Sequence, residues 1–390
     1  MVYGGKPSRD VGRVARPGSS DERSPSPPTP YAGGSSSPPP SIAVPLAQQA
    51  SCYFASNFII VPLKNQYPGP HGFMEYLVPL MRNEPAESAL RYAFNACAYA
   101  LLGNRHKADS VNLERFSLKE HALALAQTQK ALGNAETATA DSTLAASITA
   151  HPQSRLLAWR SHIDGEVNIV LARGCEELCR TKLGSLLFTS VRHHLLSRTL
   201  YHDTPLPLGA DWWMSAGDTN SLLSGAQRLA FRYAELRAEA GKVLVPSVVP
   251  DEVRGKVREL YSKVKMVDHE VERWLGVIPG ELRYQALGWV QSKGTSPPAG
   301  LNYGDLEAFP GRVDVYPDYV TASAWNVGRV TRLLLASLAL RLTAWIHSLV
   351  DYRLTSKYEV SKLVCKEMVE DIIASVPFHL GWHLKRKDTG

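Results

Sequence analysis

The sequence predicts an all-α fold, an irregular multi-helix array preceded by a disordered Ser/Pro-rich N-terminal linker. Apolar residues recur with helical spacing through most of residues 46–384, as in amphipathic helices. Proline-containing pairs such as Pro279-Gly280 and Pro297-Pro298 interrupt that spacing. No segment sustains a period-two alternation, and Asp164-Gly165, a dipeptide common in hairpin turns, lies within a helical pattern. We therefore expect roughly ten to thirteen helices and find no signal for a β-hairpin.

The first 45 residues differ in composition from the rest. They contain 10 of the chain's 26 prolines, together with serine runs such as residues 35–37. The segment has too few large apolar side chains to offset the conformational entropy lost on ordering. It is therefore predicted to be disordered. The helical pattern begins near Ser41. The predicted regions are therefore a linker (1–45), an all-helical domain (46–384) and a tail (385–390).

Two segments show the clearest apolar stripes at helical spacing. The first stripe comprises Leu90, Ala93, Phe94, Cys97 and Leu101. The second covers about five turns and comprises Val257, Leu260, Tyr261, Val264, Val267, Val271, Trp274 and Leu275. It approaches a heptad repeat, so it faces either the core of the domain or a partner helix. We favour the core, because amphipathic helices of globular domains usually bury their apolar face inward.

The most apolar stretch of the chain is residues 333–350. It is about long enough to cross a bilayer, but Arg341 lies at its centre. A central arginine costs about 2.5–3.5 kcal/mol on insertion. We therefore expect a buried core helix and no membrane partner.

The distribution of charge and the number of cysteines bear on the partners and the cellular compartment of the protein. The net charge of +6 is spread along the chain, which is more typical of a solvated surface than of a nucleic-acid interface. The basic run Lys385-Arg386-Lys387 is shorter than a usual nuclear import signal. Five cysteines, an odd count, favour a reducing compartment. There is no N-terminal apolar region typical of a secretory signal.

No catalytic motif is present, so the sequence predicts a non-enzyme. The motifs H-E-x-x-H, G-x-S-x-G and G-x-G-x-x-G are absent. Cys175 and Cys179 are spaced to share one helix face, and with His193-His194 they suggest a metal site. Such sites need further converging ligands, so we favour two core cysteines. Trp212-Trp213 follows a Pro/Gly-rich stretch and is expected to anchor it on the core.

Four stretches of the chain share their order and spacing with a known domain. The most specific runs from Phe309-Pro310-Gly311-Arg312 to Ala324-Trp325-Asn326-Val327-Gly328-Arg329. The others lie at residues 54–74, 93–105 and 373–382. Together they resemble the regulatory, or middle homology, domain of fungal Zn2Cys6 binuclear-cluster transcription factors over about residues 48–384. The family-motif positions are Phe309, Pro310, Gly311, Arg312, Asp314, Trp325, Asn326 and Arg329.

The zinc cluster of that family is missing from this sequence. Residues 1–8 resemble the leader before the first cluster cysteine, but Arg9-Asp10-Val11 follows where the family pattern has C-x2-C-x6-C. The cysteines are Cys52, Cys97, Cys175, Cys179 and Cys365, and no two are spaced C-x2-C. Six thiolates holding two zinc ions cannot come from five scattered cysteines. No cofactor is therefore expected in this chain, and DNA is a partner only if a cluster is restored.

The resemblance implies a nuclear regulator of RNA polymerase II transcription, for a metabolic or biosynthetic pathway. It implies the transcription machinery or co-regulators as partners, and homodimers as one form. It also implies further helices after Trp382, so that an apolar face near 355–384 is uncovered where this chain stops. The alternative is an interaction protein that lacks the cluster and modulates full-length relatives without binding DNA.

Three charged residues of the most specific stretch allow two interpretations. Arg312, Asp314 and Arg329 flank the predicted loop and the start of the following helix. We favour an ion pair that fixes the loop to the helix. The functional alternative is an anion or effector site between helices.

Overall fold

A computed structural model describes residues 44–59, 74–105, 110–149, 156–202, 204–217, 221–244, 251–290, 310–347 and 351–381. Within these ranges the chain forms thirteen α-helices and one two-stranded sheet, which confirms the predicted all-α class. The predicted linker up to residue 43, the family-motif position Phe309 and the basic run 385–387 lie outside the described residues.

The helices fall into an N-terminal group, whose members are mostly short, and a C-terminal group of long helices. The N-terminal group comprises α1 (Leu46–Phe58), α2 (Leu77–Asn83), α3 (Ala89–Arg105), α4 (Ser110–Leu132), α5 (Asp141–Thr149), α6 (Leu156–Arg173), α7 (Cys175–Leu178), α8 (Lys182–Tyr201) and α9 (Gly209–Trp213). The C-terminal group includes both strands and comprises α10 (Leu222–Val243), α11 (Asp251–Gly276), β1 (Gln285–Val290), β2 (Gly311–Val315), α12 (Tyr319–Ile346) and α13 (Ser356–His379).

Side-chain caps set where four of the longer helices begin. Thr181, Ser221, Asp318 and Thr355 precede α8, α10, α12 and α13 respectively. Each side-chain oxygen accepts a hydrogen bond from the backbone N–H three residues on, at 2.9, 3.2, 2.7 and 3.3 Å. Such a cap satisfies one of the free N–H groups of the first turn and contributes about 1 kcal/mol.

The N-terminal helices bury a large apolar cluster. Its members include Phe54 of α1, Phe94 of α3 and Phe188 of α8. Trp213, on the short helix α9, is fully buried in it, stacks on Phe188 at 5.7 Å and donates its Nε1–H to the Pro207 carbonyl at 2.9 Å. The tryptophan therefore anchors this segment on the core, as predicted.

A second apolar cluster is formed by α10, α11 and α12. The stripe predicted on α11 faces this cluster, and five of its residues are at most 3% exposed: Val257, Leu260, Val264, Val267 and Val271. This burial confirms the core interpretation of the stripe and excludes those five side chains from a partner surface.

The apolar stretch at residues 333–350 falls mainly within α12. Leu335, Leu338 and Leu342 are buried in the second cluster, while Arg341 is exposed. The expected core helix is therefore confirmed. In the ranges that the structure describes, no helix is long and apolar enough to cross a membrane.

The two strands form an antiparallel pair that the sequence analysis missed. Gln285 pairs with Val315 and Val290 with Gly311, with an irregularity between Ala286 and Gly288. The strands are separated by 20 residues rather than by a tight turn, so the usual hairpin signal is absent. The apolar face expected of a half-buried strand is also lacking, because Leu287 is 50% and Trp289 is 74% exposed.

Candidate functional site

The residues of the most specific stretch converge where the strand pair meets two helices. β2 contributes Arg312 and Asp314, which are two positions apart and so share one face of the strand. The helix α12 contributes Arg329, and α13 contributes Asp371, which the sequence analysis did not single out. We call Arg312, Asp314, Arg329 and Asp371 the ion-pair cluster.

Arg312 binds both carboxylates of the cluster. Its Nε and Nη2 donate to the two oxygens of Asp314 at 2.7 and 3.0 Å, a bidentate geometry. Its Nη2 also donates to Asp371 Oδ1 at 2.6 Å, which ties β2 to α13. The hydrogen bonds to Asp314, opposed in part by burial, raise the pKa of Arg312 above its usual value.

Arg329 lies at the centre of the cluster, where both it and Asp314 are fully buried. Its Nη1 donates to the Tyr316 hydroxyl at 2.5 Å and to Asn326 Oδ1 at 3.2 Å. The carboxylates are farther away, with Nη2 at 3.8 Å from Asp314 and Nε at 3.6 Å from Asp371. Within the described residues these two nitrogens make no hydrogen bond, so the attraction is electrostatic and little screened.

Aromatic rings surround the Arg329 guanidinium. The ring centroids of Tyr284, Trp325 and Tyr316 lie 4.9, 5.2 and 5.8 Å from its central carbon. These distances permit cation–π attraction, which is strongest where water is excluded. The Trp325 indole is fixed by donation to the Leu282 carbonyl at 2.9 Å. Burial raises the pKa of Tyr316 to about 12, so the hydroxyl is neutral near pH 7.

The charges of the cluster balance, which decides between the two interpretations of its residues. Two arginines face two aspartates, and each arginine lies within 4 Å of both carboxylates. An anion site needs positive charge in excess of the nearby carboxylates, and this cluster has none. The geometry therefore favours the ion pair over the effector site, and the cluster joins three elements rather than two.

The other family-motif positions support the same junction. Pro310 and Gly311 lead into β2, and Gly311 has a φ of +131°, which favours glycine. Asn326 on α12 donates to Ser375 Oγ at 2.8 Å, and its Nδ2 lies 3.1 Å from His379 Nε2 on α13. Burial lowers the pKa of His379. These contacts fasten α13 along α12.

The sequence contained a signal for Asp371. It lies one turn before Ala374 and Ser375, which are buried, and two turns before Phe378, which packs against Tyr316 at 5.4 Å. An acidic side chain on the same face as these residues needs a buried partner. Helical spacing alone did not reveal that the partner would come from a strand.

A second buried polar pair lies in the N-terminal group of helices. The Glu166 side chain on α6 is fully buried, and its Oε2 lies 3.0 Å from Nδ1 of His194 on α8. The neighbouring His193 has its pKa lowered to about 4, mainly by burial and further by the nearby His194. The sequence analysis considered these histidines as metal ligands beside Cys175 and Cys179 and did not favour that site, and no sequence motif pairs them with Glu166.

The cysteines do not assemble a metal site in the part of the chain that the structure describes. Cys175 begins the four-residue helix α7 and Cys179 follows its end, so the pair does not share a regular helix face. Cys175 Sγ lies 3.7 Å from Ser215 Oγ. Across the described ranges, no group of three His, Cys, Asp or Glu side chains is placed to hold a metal ion.

One comparison with known proteins bears on the class. Over 85 residues the chain is 40% identical to a protein described as transcription factor dbaG of Emericella nidulans. The matched segment is 22% of this chain and 17% of dbaG, so most of the relative's length is unmatched. No protein-family model matches the chain, and no solved structure matches it. The similarity is therefore to a short part of a fungal transcription factor.

Proposed function

We propose that the chain is the regulatory domain of a fungal transcription regulator of the Zn2Cys6 type, acting in the nucleus through contacts with the transcription machinery or co-regulators. The observation that carries the proposal is the 40% identity with transcription factor dbaG. The described family-motif positions meet at one junction of β2, α12 and α13, which supports it.

The ion-pair cluster contributes to this function by holding a surface in place. Arg329 and Asp314 are buried, Arg312 and Asp371 are largely buried, and the four charges balance, so we do not expect them to contact a partner themselves. Through Asp371 and Ser375 the cluster and its neighbour Asn326 fix the orientation of α13. A regulatory domain needs such a rigid support, because a partner binds more weakly when its docking surface must first be ordered.

Specific DNA reading needs a zinc cluster in addition to the residues of this sequence. Sequence readout by such factors depends on a metal-held helix in the major groove. The five cysteines are dispersed over four helices and one helix end. The chain alone is therefore expected to bind DNA only weakly and in a salt-dependent manner.

A tethering experiment tests the proposal. The chain is fused to an unrelated DNA-binding domain and its effect on a reporter with matching sites is measured in a fungal host. The fusion should change reporter output relative to the DNA-binding domain alone, whereas a fusion carrying Asp314→Asn, which weakens the junction, should lose the effect. The matched control Glu370→Gln, at an exposed ion pair, should retain it.

The alternative function, modulation of full-length relatives, predicts a different outcome. A modulator without its own DNA contact leaves the tethered reporter unchanged but alters the output of a co-expressed relative. The dispersed cysteines favour this alternative. A well-expressed nuclear fusion with neither effect would contradict both functions.

A further inference from the structure

The helix α4 carries an exposed apolar stripe with heptad spacing. Val111, Leu118, Leu125 and Leu132 follow one another at intervals of seven residues and are 70%, 54%, 43% and 45% exposed. Single exposed apolar side chains are ordinary on protein surfaces. Four at a constant seven-residue interval line one face of the helix, which is the spacing of a coiled-coil seam.

The stripe is separate from the face that α4 turns toward the domain. Leu113, Ser117 and Ala124 are buried, and the Ser117 hydroxyl donates to the Ala96 carbonyl of α3 at 2.7 Å. At about 100° per residue, Leu118 lies roughly 140° around the helix from Leu113. Successive stripe positions drift by only about 20°, the offset that a left-handed coiled coil absorbs.

We propose that this stripe is the interface of a parallel homodimer, in which α4 of two copies of this chain forms a short coiled coil. The stripe residues take the d positions, and Arg115, Ala122 and Gln129 take the a positions, all exposed. Leucine at d is the usual residue of two-stranded parallel coiled coils. Polar residues at a fix the register and weaken the association, so the dimer depends on concentration.

Charge complementarity argues for a second copy and for the parallel direction. Glu114 and Lys119, both exposed, flank the stripe on opposite sides, in the g and e positions of successive heptads. In a parallel dimer each Glu114 faces Lys119 of the other copy, so the charge pair forms twice, once on each side of the seam. In the antiparallel alignment that pairs the whole stripe, Val111 lies opposite Leu132, so Lys119 falls near Ala126 and no such charge pair forms.

A membrane surface fits the stripe less well. Helices that lie in a bilayer interface have a strongly basic polar face, whereas the stripe is bordered by both Glu114 and Lys119. The dimer also does not rest on the proposed function, since its formation is measured without any transcription readout.

Sedimentation of the full chain over a wide concentration range tests the proposal. The wild-type chain should shift from monomer to dimer, and Leu118→Lys with Leu125→Lys should remain monomeric at every concentration. The matched control is Val360→Lys with Leu363→Lys on α13, whose side chains are 55% and 64% exposed without heptad spacing, and it should dimerise like wild type. Circular dichroism should show unchanged helix content for both variants, because all four substituted side chains are exposed.

A charge exchange tests the direction of the helices. Glu114→Lys and Lys119→Glu should each weaken dimerisation on the order of tenfold, because two like-charge pairs replace two attractive pairs. The chain carrying both substitutions should return to near wild-type affinity. A wild-type chain that is monomeric throughout, a dimer insensitive to the Leu118 and Leu125 substitutions, or failure of the exchange to restore affinity overturns the proposal. Stripe-dependent binding of a monomeric chain to phosphatidylserine vesicles overturns it in favour of a membrane.

Discussion

Arg312 on β2 and Asp371 on α13, which are 59 positions apart, are joined by a hydrogen bond of 2.6 Å. The same arginine holds Asp314 in a bidentate pair, and Asp314 in turn faces the buried Arg329. The contact therefore links β2, the partner of the largely exposed strand β1, to the helix that runs alongside α12. It explains how so exposed a strand pair keeps its position.

Neutralising Asp314 should strongly destabilise the domain. Asp314→Asn preserves the shape of the side chain but leaves the buried Arg329 with Asp371 as its only carboxylate in the cluster. Removing one partner of a buried pair typically lowers the free energy of unfolding by about 3–5 kcal/mol. Urea unfolding measures the change, with Glu370→Gln as the control at an exposed pair. Equal midpoints for the two variants would show that the cluster adds little to stability.

How far the sequence predicts this fold can be judged from α11 and β1. The α11 stripe was predictable because a helix repeats its burial every three to four residues, and five of its eight predicted residues are buried. In β1, Leu287 and Trp289 are exposed, and its partner strand lies beyond 20 intervening residues. Its position depends on Arg312 and Asp371, and such long-range contacts leave no local period.

The candidate site was predictable in part for the same reason. Arg312, Asp314 and Arg329 were identified together, because they lie within 18 residues of one another. Asp371 was missed, since it joins them only through tertiary packing. The heptad on α4 was present in the sequence, but spacing does not distinguish a stripe that faces solvent from one that faces the core. Only the burial of Leu113 and the exposure of Leu118 decide this.

Truncating a side chain in the apolar stripe of α11 should lower the free energy of unfolding far more than truncating one on the solvent-exposed face of the same helix. Leu260→Ala empties a fully buried position between α11 and its neighbours, and such a cavity costs about 2–5 kcal/mol. Met266→Ala on the same helix removes a side chain that is 60% exposed and should have little effect. Thermal or urea unfolding of the two variants gives the comparison, and similar losses for both would contradict the packing of α11.

Acidification should destabilise the domain partly through His193. Its pKa is lowered to about 4 in the folded chain, whereas the unfolded value is about 6.5. The unfolded state therefore binds more protons than the folded state between these values, and stability present above pH 6.5 is lost as the pH falls. Proton binding at His193 should lower the free energy of unfolding by about 2 kcal/mol between pH 7 and pH 5.

Substituting His193 isolates that contribution from those of the carboxylates. Urea unfolding of His193→Gln at pH 7 and pH 5 should show a smaller loss on acidification than wild type. His269→Gln, at an exposed position, is the matched control and should follow wild type. An undiminished loss in His193→Gln would show that His193 titrates in the folded state much as it does when unfolded.

Two glycines on different helices should prove intolerant of a methyl group, because Trp274 of α11 lies against both. A Cβ added at Gly328 of α12 would lie 2.7 Å from Trp274 Cζ3, and one added at Gly225 of α10 would lie 2.8 Å from its Nε1. Gly328→Ala therefore overpacks the contact with Trp274 and should lower the free energy of unfolding by about 1–3 kcal/mol. Gly255→Ala on α11 meets nothing within 4 Å and should instead stabilise by about 0.4–1 kcal/mol.

A double substitution distinguishes this steric cause from a backbone effect of glycine. Trp274→Phe removes the outer ring atoms that the new methyl group would meet, so Gly328→Ala should be less damaging in that background. The two changes should couple by about 0.5–3 kcal/mol in a double-mutant cycle measured by urea unfolding. Additive losses would place the cause in the α12 backbone. Coupled losses would show that the close approach of α11 to α12 depends on the absence of a side chain at Gly328.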